Sequence, residues 1–214
     1  MHEFLIIKLT KLISVISLFI MDTLRKLKRH LRRGSLYRRS DLERWSNSVD
    51  RHLKQLLTDG TLQKMSQGVY YYPKETVFGF APPDEAALVR SFLKDDEFLI
   101  TSPNAYNSLE VGTTQLYNKR VVYNHKRHGE FDLGGRKFFF HMKPKFPKNL
   151  STEFLLVDLV NNLDSLAEDK EMVLSKAKEK ARKLNPAKLK RAVLAYGGSK
   201  AKKVFSSVFE GHHA

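Results

Sequence analysis

The stretch from Arg38 to Pro73 constrains the fold more than any other part of the chain. Within it, Ser40 and Glu43 have the S-x-x-E spacing of a capping box, in which a hydroxyl and a carboxylate satisfy the first amides of a helix. Trp45 ends this short helix, and residues 46–48 are serine and asparagine, which suit a turn and a new helix cap. The pattern therefore predicts two helices separated by a tight turn.

The second of these helices has two distinct sides. Val49, Leu53 and Leu56 recur at i, i+4 and i+7, which places them in one apolar stripe that faces a core. The other side holds polar residues and no carboxylate, namely Asn47, Ser48, Arg51, Lys54 and Gln55. Such a face is either solvated or offered to a partner.

A two-stranded ribbon is predicted directly after the second helix. Asp59-Gly60 ends the helix, and residues 61–65 and 69–72 are strand-like segments joined by a turn at residues 66–68. Helix, turn, helix and ribbon, in this order, are typical of a winged helix-turn-helix. Residues 22–33 are the predicted first helix of this domain, with an inward leucine stripe and a basic exterior.

The polar side of the second helix has the chemistry that reads duplex DNA. The major groove of B-DNA admits one α-helix, whose long donors and amides reach the base edges. Asn47, Ser48, Arg51, Lys54 and Gln55 are therefore the candidate DNA-reading residues. Lys64 and Gln67 on the ribbon are candidates for phosphate or minor-groove contact, and Arg38 and Arg39 are further phosphate candidates.

The charge balance agrees with a polyanionic partner. The 214-residue chain has a net charge of +15, and residues 1–74 hold 15 Lys and Arg against six Asp and Glu. Such a balance attracts nucleic acid or an anionic membrane surface. The chain has no cysteine, which excludes disulfides, thiol catalysis and cysteine-ligated zinc.

Residues 1–20 form a hydrophobic N-terminal extension that does not fit the rest of the pattern. Lys8 and Lys11 interrupt it, and the apolar run from Leu12 to Met21 is shorter than the roughly 20 residues that span a bilayer. The favoured interpretation is a dispensable extension from an upstream start codon. An amphipathic helix that contacts a membrane or partner, and a cleaved signal peptide, are the alternatives.

The sequence predicts an α+β fold in several segments. A winged helix-turn-helix at residues 21–74 is followed by a linker at 75–83 and a C-terminal α+β domain at 84–210. The elements predicted within that domain are a helix at 84–98, a short helix opening at Ser102-Pro103 and stopped by Gly112, two or three antiparallel strands between 119 and 144, and helices from Ser151 to Phe209.

Catalytic patterns are weak, and no enzymatic activity, cofactor or metal is expected. His125 and His128 are three residues apart on a predicted strand and turn, which does not aim both imidazoles at one metal. An acidic group is interpreted as a helix end with a solvated helix face; it comprises Asp158, Asp164, Glu168, Asp169 and Glu171. None of the common nucleotide-binding, hydrolase or metalloprotease motifs is present.

Two stretches of the sequence resemble the AbiEi-type antitoxins of type IV toxin–antitoxin systems. The first matches that family's winged helix at Asp41, Leu42, Val49, Leu53, Leu56, Gly60, Leu62, Gly68, Val69, Tyr70 and Pro73. The second resembles the family's A-x-x-x-L-G-L-T-T-Q motif, at Ala105, Tyr106, Leu109, Gly112, Thr113, Thr114 and Gln115. The similarity covers about residues 22–208, and the second motif is inexact at residues 107–108 and 110–111.

The resemblance implies a cytoplasmic antitoxin whose winged domain binds its own promoter and represses its operon. Its C-terminal domain would counter a separately encoded nucleotidyltransferase-like toxin, without a stable complex. Self-association on DNA stays open, and no membrane partner is expected. The basic helices from Lys176 to Lys203 are candidates for the antitoxic surface, although a solvated charged face explains them equally well. A regulator without a toxin, and an RNA-binding protein that stacks bases on Tyr70, Tyr71 and Tyr72, are the alternatives.

Overall fold

The computed structural model describes residues 23–210 of the chain, so the predicted extension at residues 1–20 lies outside the described residues. The fold is α+β, with helices and several small sheets, as expected. The chain divides into two compact units. The first unit holds the described chain up to Lys94 together with Asp132–Arg136, and the second holds Asp95–Phe131 and the chain from Lys137 onward.

The first unit combines short helices with a three-stranded sheet. Strand β3 is central, and β1 and β2 flank it in antiparallel pairing. Strands β4 and β5 form a separate antiparallel pair. The elements are α1 (of which residues 23–30 are described), β1 (Leu36–Arg38), α2 (Arg39–Glu43), α3 (Val49–Thr58), β2 (Gln63–Ser66), β3 (Val69–Tyr71), β4 (Lys74–Thr76), β5 (Gly79–Ala81) and α4 (Glu85–Leu93).

The apolar stripe of α3 forms part of the core of the first unit. Val49, Leu53 and Leu56 are all buried, as their spacing predicts, and they pack with Leu27 and Leu62. Burying one such side chain contributes about 1.5–3 kcal/mol before entropy is counted. The residues of α3 outside this stripe include exposed polar side chains, which are available to carry functional groups.

The start of the three-stranded sheet differs from the prediction. β1 was not predicted, because a three-residue strand has almost no periodicity and its partner Tyr71 lies far along the chain from Leu36. Its presence moves the start of α2 to Arg39, where the Asp41 carboxylate accepts the Arg38 amide at 2.9 Å. The predicted capping box at Ser40 is therefore wrong by two residues.

The domain boundary also differs from the prediction. Residues 75–83, expected to be a linker, contain most of the β4–β5 pair, and α4 belongs to the first unit. The Arg38 guanidinium donates to the carbonyl oxygens of Ser91 at 3.1 Å and Arg90 at 3.3 Å, which ties α4 to β1. The boundary therefore falls after Lys94 instead of residue 83.

The second unit contains a four-stranded sheet in the order β6-β7-β9-β8 and a set of helices. β6 pairs with β7 in antiparallel orientation, whereas β7 and β9 are parallel. The elements are β6 (Phe98–Thr101), a 3-10 helix (Pro103–Leu109), β7 (Arg120–Asn124), β8 (Gly129–Asp132), β9 (Lys137–Met142), α5 (Thr152–Asn162), a 3-10 turn (Leu163–Ser165), α6 (Lys170–Lys183), α7 (Pro186–Tyr196) and α8 (Ser199–Glu210).

Two predictions made for the C-terminal domain at residues 84–210 are corrected by this sheet. The predicted helix at residues 84–98 ends at Leu93, and Phe98 instead begins β6. The strands between 119 and 144 are not all antiparallel, because Val121 pairs with Phe139 in the parallel β7–β9 ladder. Consecutive strand-like segments with glycine turns suggest a series of hairpins. The observed sheet instead places β9 between β7 and β8, an order that depends on long-range pairing.

Helix α5 is the centre of the second unit. All residues from Phe154 to Val160 are buried, which confirms the predicted central helix. Asp158 is in this run and is only 1% exposed, so its assignment to a solvated face is wrong. In the described part of the chain, no helix is long and apolar enough to cross a membrane.

Candidate nucleic-acid interface

The exposed side of α3 carries the residues singled out from the sequence. Arg51, Lys54 and Gln55 are exposed, and their i, i+3 and i+4 spacing places them on one surface of the helix. Asn47, just before the helix, is also exposed, and Ser48 is partly buried at the helix cap. Thus the α3 face, as we call Asn47, Ser48, Arg51, Lys54 and Gln55, is a continuous polar surface.

A buried histidine holds the turn before α3 in place. His52 is 1% exposed, and its Nδ1 lies 2.7 Å from Ser46 Oγ, which in turn accepts the Ser48 amide at 3.1 Å. Its Nε2 lies 3.4 Å from Thr23 Oγ1 on α1. Burial, helped by the Arg51 charge, lowers the pKa of His52 below its ordinary value, so the imidazole is neutral near pH 7. In the sequence, the sign of this structural role was the position of His52 directly before Leu53 of the apolar stripe.

A cleft of about 420 Å³ opens at the N-terminal end of α3. Asn47, Ser48 and Arg51 line it, whereas Lys54 and Gln55 lie further along the helix, outside the lining. The full lining is Thr23, Lys26, His30, Arg44, Trp45, Ser46, Asn47, Ser48, Arg51 and His52. Three of these side chains are Lys or Arg and none is acidic, so the cleft favours an anionic partner.

Arg44 was not singled out from the sequence, because an exposed arginine at the end of a short helix has no distinguishing pattern. The structure places it in the cleft beside Trp45, whose indole stacks on the His30 ring at a centroid distance of 4.8 Å. The indole and imidazole thereby form a flat wall of the cleft. Arg44 joins Arg51 as a second arginine of the same surface.

Lys64 and Gln67 lie away from the cleft. Lys64 is exposed on β2, and Gln67 is exposed in the turn between β2 and β3. Gly68 completes that turn with φ of +74°, a conformation that L side chains rarely adopt. The structure thus places both predicted residues at the exposed edge strand β2 and its turn, outside the lining of the cleft.

Arg38 and Arg39 both have partners within the first unit. The Arg39 guanidinium binds Asp50 with two hydrogen bonds, 2.8 Å from Nε to Oδ1 and 2.7 Å from Nη2 to Oδ2, and it also pairs with Glu43. The hydrogen bonds from Arg39 hold the pKa of Asp50 below its ordinary value. Arg39 therefore compensates the one carboxylate in the first turn of α3. A phosphate contact by Arg38 or Arg39 stays a prediction.

The three consecutive tyrosines do not form an aromatic platform. Tyr70 and Tyr71 are 8% and 2% exposed and belong to the interior of the first unit. Tyr72 is partly exposed, and the Arg33 guanidinium lies 5.4 Å from its ring centroid. Base stacking on all three rings, which favoured single-stranded RNA as a partner, is not compatible with this burial.

The first helix adds positive charge to the same unit. Arg25, Lys26, Lys28 and Arg29 are exposed on α1. Lys28 is bound to Asp59 at 2.7 Å, which fixes α1 to the end of α3. The helix thus combines a structural ion pair with cations that reach solvent.

This α+β architecture, with a polar helix face beside a basic cleft, can be placed in a family. The family of unknown function DUF6088 matches residues 22–192, and the chain therefore belongs to that family. A comparison with curated proteins found no match. The family assignment covers the whole first unit up to Lys94 and most of the second.

Proposed function

We propose that the first unit is a winged helix-turn-helix domain that binds duplex DNA with sequence preference. In this proposal α2 and α3 are the helix-turn-helix, α3 is the recognition helix, and the β2–β3 ribbon is the wing. The observation that carries the proposal is the α3 face, a polar and largely exposed surface whose neighbouring carboxylate, Asp50, is bound by Arg39. With Asp50 held in this way, the charged side chains that the α3 face offers to a partner are Arg51 and Lys54.

The docking follows from the position of each group. With α3 in the major groove, Arg51 and Gln55 are one turn apart and reach successive base edges, and Asn47 reaches bases or phosphates at the helix start. Arg44 and Lys26 across the cleft contact the adjoining phosphates. Lys64 and Gln67 on the wing contact the neighbouring backbone or minor groove.

We further propose that DNA binding serves an antitoxin. The resemblance to AbiEi-type antitoxins supports a protein that represses its own operon and counters a nucleotidyltransferase-like toxin from the cytoplasm. The second unit supplies the candidate antitoxic surface. Its lysine-rich helices α6, α7 and α8 expose positive charge between Lys176 and Lys203. A regulator without a toxin partner would use the same first unit, so the two activities need separate tests.

The first test measures binding of the full chain to duplex DNA taken from immediately upstream of its gene. A scrambled duplex and a single-stranded RNA of the same sequence serve as comparisons, at about 50 and about 200 mM salt. A preference for the native duplex that persists at the higher salt is expected. Equal and salt-sensitive binding to the two duplexes would refute sequence-specific recognition and leave only a polyanion-binding surface. Preference for the RNA would favour the alternative partner.

The second test separates repression from neutralisation. The antitoxin proposal predicts a nucleotidyltransferase gene beside that of this chain; the two genes are co-expressed, and growth and promoter activity are measured together. Arg51→Ala is expected to release the promoter while growth rescue is retained, because Arg51 is in the first unit. If the unchanged chain did not restore growth, the antitoxin proposal would be refuted, whereas the proposal of DNA binding would be unaffected.

A further inference from the structure

A cavity of about 250 Å³ lies within the second unit, and the proposed DNA binding makes no use of it. It forms where one side of the sheet meets the C-terminal end of α5. Thr101, Val121, Tyr123 and His141 all face it, because the β6–β7 and β7–β9 pairings place them on the same side of the sheet. The rest of the lining is Ser102, Pro103, Tyr106, Tyr117, Lys119, Asn162, Ser165 and Leu166.

The floor of the cavity is held by a buried carboxylate. Asp158 accepts hydrogen bonds from the phenols of Tyr106 at 2.8 Å and Tyr123 at 2.8 Å, and from Lys143 Nζ at 3.1 Å. Asn162 Nδ2 lies 3.1 Å from the first phenol oxygen and 3.3 Å from the second. These contacts fix both rings, so the floor is rigid and presents aromatic surface to the cavity.

The walls carry donors and positive charge. Lys119 is in the lining, and none of the twelve lining residues is an aspartate or glutamate. The negative charge of Asp158 below the floor is already compensated by Lys143. Within the described part of the chain, the buried Thr101 hydroxyl has no hydrogen-bond partner, and Thr101 is 8% exposed. A hydroxyl without a partner and a lysine in the same lining suit the charged end of an anion.

The size and the apolar part of the lining define the rest of the ligand. At about 30 Å³ per water molecule, the cavity has room for roughly eight water molecules, which is enough for a single substituted ring. Pro103, Val121 and Leu166 provide aliphatic surface, and Tyr106 and Tyr117 provide rings. A flat apolar body therefore fits between these walls.

We propose that this cavity binds a small aromatic monocarboxylate, with its carboxylate toward Lys119 and Thr101 and its ring against the tyrosines. Asn162 and Tyr123 serve as the fixed floor. Because it lies in the second unit, the site is suited to an effector of that unit.

His141 makes the proposed binding dependent on pH. Burial lowers the pKa of His141, and the charges of His128, Lys119 and Lys143 lower it further against the opposing effect of Asp158. A bound carboxylate adds negative charge beside the imidazole and favours its protonated form. Binding therefore takes up a proton and strengthens as the pH falls below about 6.5, toward the lowered pKa of His141.

The experiment titrates the full chain with sodium benzoate by calorimetry. Benzyl alcohol, which keeps the ring without the charge, and inorganic phosphate, which keeps the charge without the ring, are titrated at matched ionic strength. Saturable one-site binding of benzoate that strengthens as the pH falls below about 6.5, with neither comparison compound matching it, is expected. Failure of benzoate to saturate, or equal binding of either comparison compound, would overturn the proposal.

Three variants locate the site. Lys119→Gln is expected to weaken benzoate binding by about tenfold, whereas Lys148→Gln, an exposed lysine outside the cavity, leaves it unchanged. Thr101→Val should weaken binding by about threefold without lowering the melting temperature, because the lost hydroxyl has no partner in the unliganded protein. Equal affinities of all three variants and the unchanged chain would place benzoate elsewhere and refute the assignment.

Discussion

Removal of the Asp158 carboxylate should destabilise the second unit strongly. The carboxylate is 1% exposed and holds three donors, the phenols of Tyr106 and Tyr123 and the ammonium of Lys143. Removing one partner of a buried ionic cluster costs about 3–5 kcal/mol, because the remaining groups lose their hydrogen bonds inside the protein. The Lys143 side chain is 29% exposed and can rehydrate, so Asp158→Ala should cost about 3 kcal/mol, near the lower end.

The matched control is Asp164→Ala, close by in sequence. Asp164 pairs with Lys170 and Lys200, but its side chain is 65% exposed. Hydrogen bonds from Lys200 and Lys170 lower its pKa. Water screens exposed pairs of this kind and leaves them little net effect on stability, so this variant should differ little from the unchanged chain.

Urea unfolding of the full chain measures both variants. Far-UV circular dichroism follows the helices of both units, the longer of which are in the second unit, and the fluorescence of Trp45, the only tryptophan, reports on the first unit alone. The Asp158→Ala transition in circular dichroism should move to lower urea. A loss below about 1 kcal/mol would contradict the argument, because it would mean that the three donors are satisfied without the carboxylate.

Three further predictions concern the first unit. Arg51→Ala should weaken binding to the native duplex by about 1–3 kcal/mol in electrophoretic mobility shifts, whereas Lys64→Ala should weaken all sequences alike and flatten the salt dependence; unchanged affinity in both would refute the docking. The pKa of His52 is depressed in the folded state, so the unfolded state binds more protons at acid pH. The free energy of unfolding should therefore decrease as the pH falls below about 6.5, and His52→Gln should make this dependence on pH less steep. Gly134→Ala should lower stability more than Gly135→Ala in thermal melts, since both have positive φ but only a Cβ at Gly134 comes within 2.6 Å of a methionine sulfur; equal melting temperatures would contradict the contact.

Sequence patterns predicted those elements whose structure depends on residues that are close together in the chain. The stripe of Val49, Leu53 and Leu56 identified α3 because an amphipathic helix repeats its contacts every turn. The turn at Gly68 likewise identified the β2–β3 ribbon. Strand β1 was missed because three residues carry no period, and its existence depends on distant β3.

The parallel β7–β9 pairing and the Asp158 cluster could not be inferred from neighbours in sequence. Local pattern favours hairpins between consecutive strands, whereas the observed order depends on packing of the whole unit. For Asp158 a signal existed, since it is the one acidic residue in the buried run from Phe154 to Val160. A charge inside an apolar helix requires a partner, but the sequence does not name Tyr106 or Lys143 as that partner.

The first unit is built from two separate segments of the chain, and this limits which segments can be exchanged by recombination. Residues 132–136 belong to that unit although the chain on either side of them belongs to the second. The Gly134 amide donates to the Met65 carbonyl at 2.8 Å, and Arg136 binds the Glu85 carboxylate at 3.1 Å. A crossover after Lys94 would transfer the α3 face without these contacts. A change in the proposed DNA specificity should therefore arise by point changes on α3 rather than by exchange of a whole N-terminal segment.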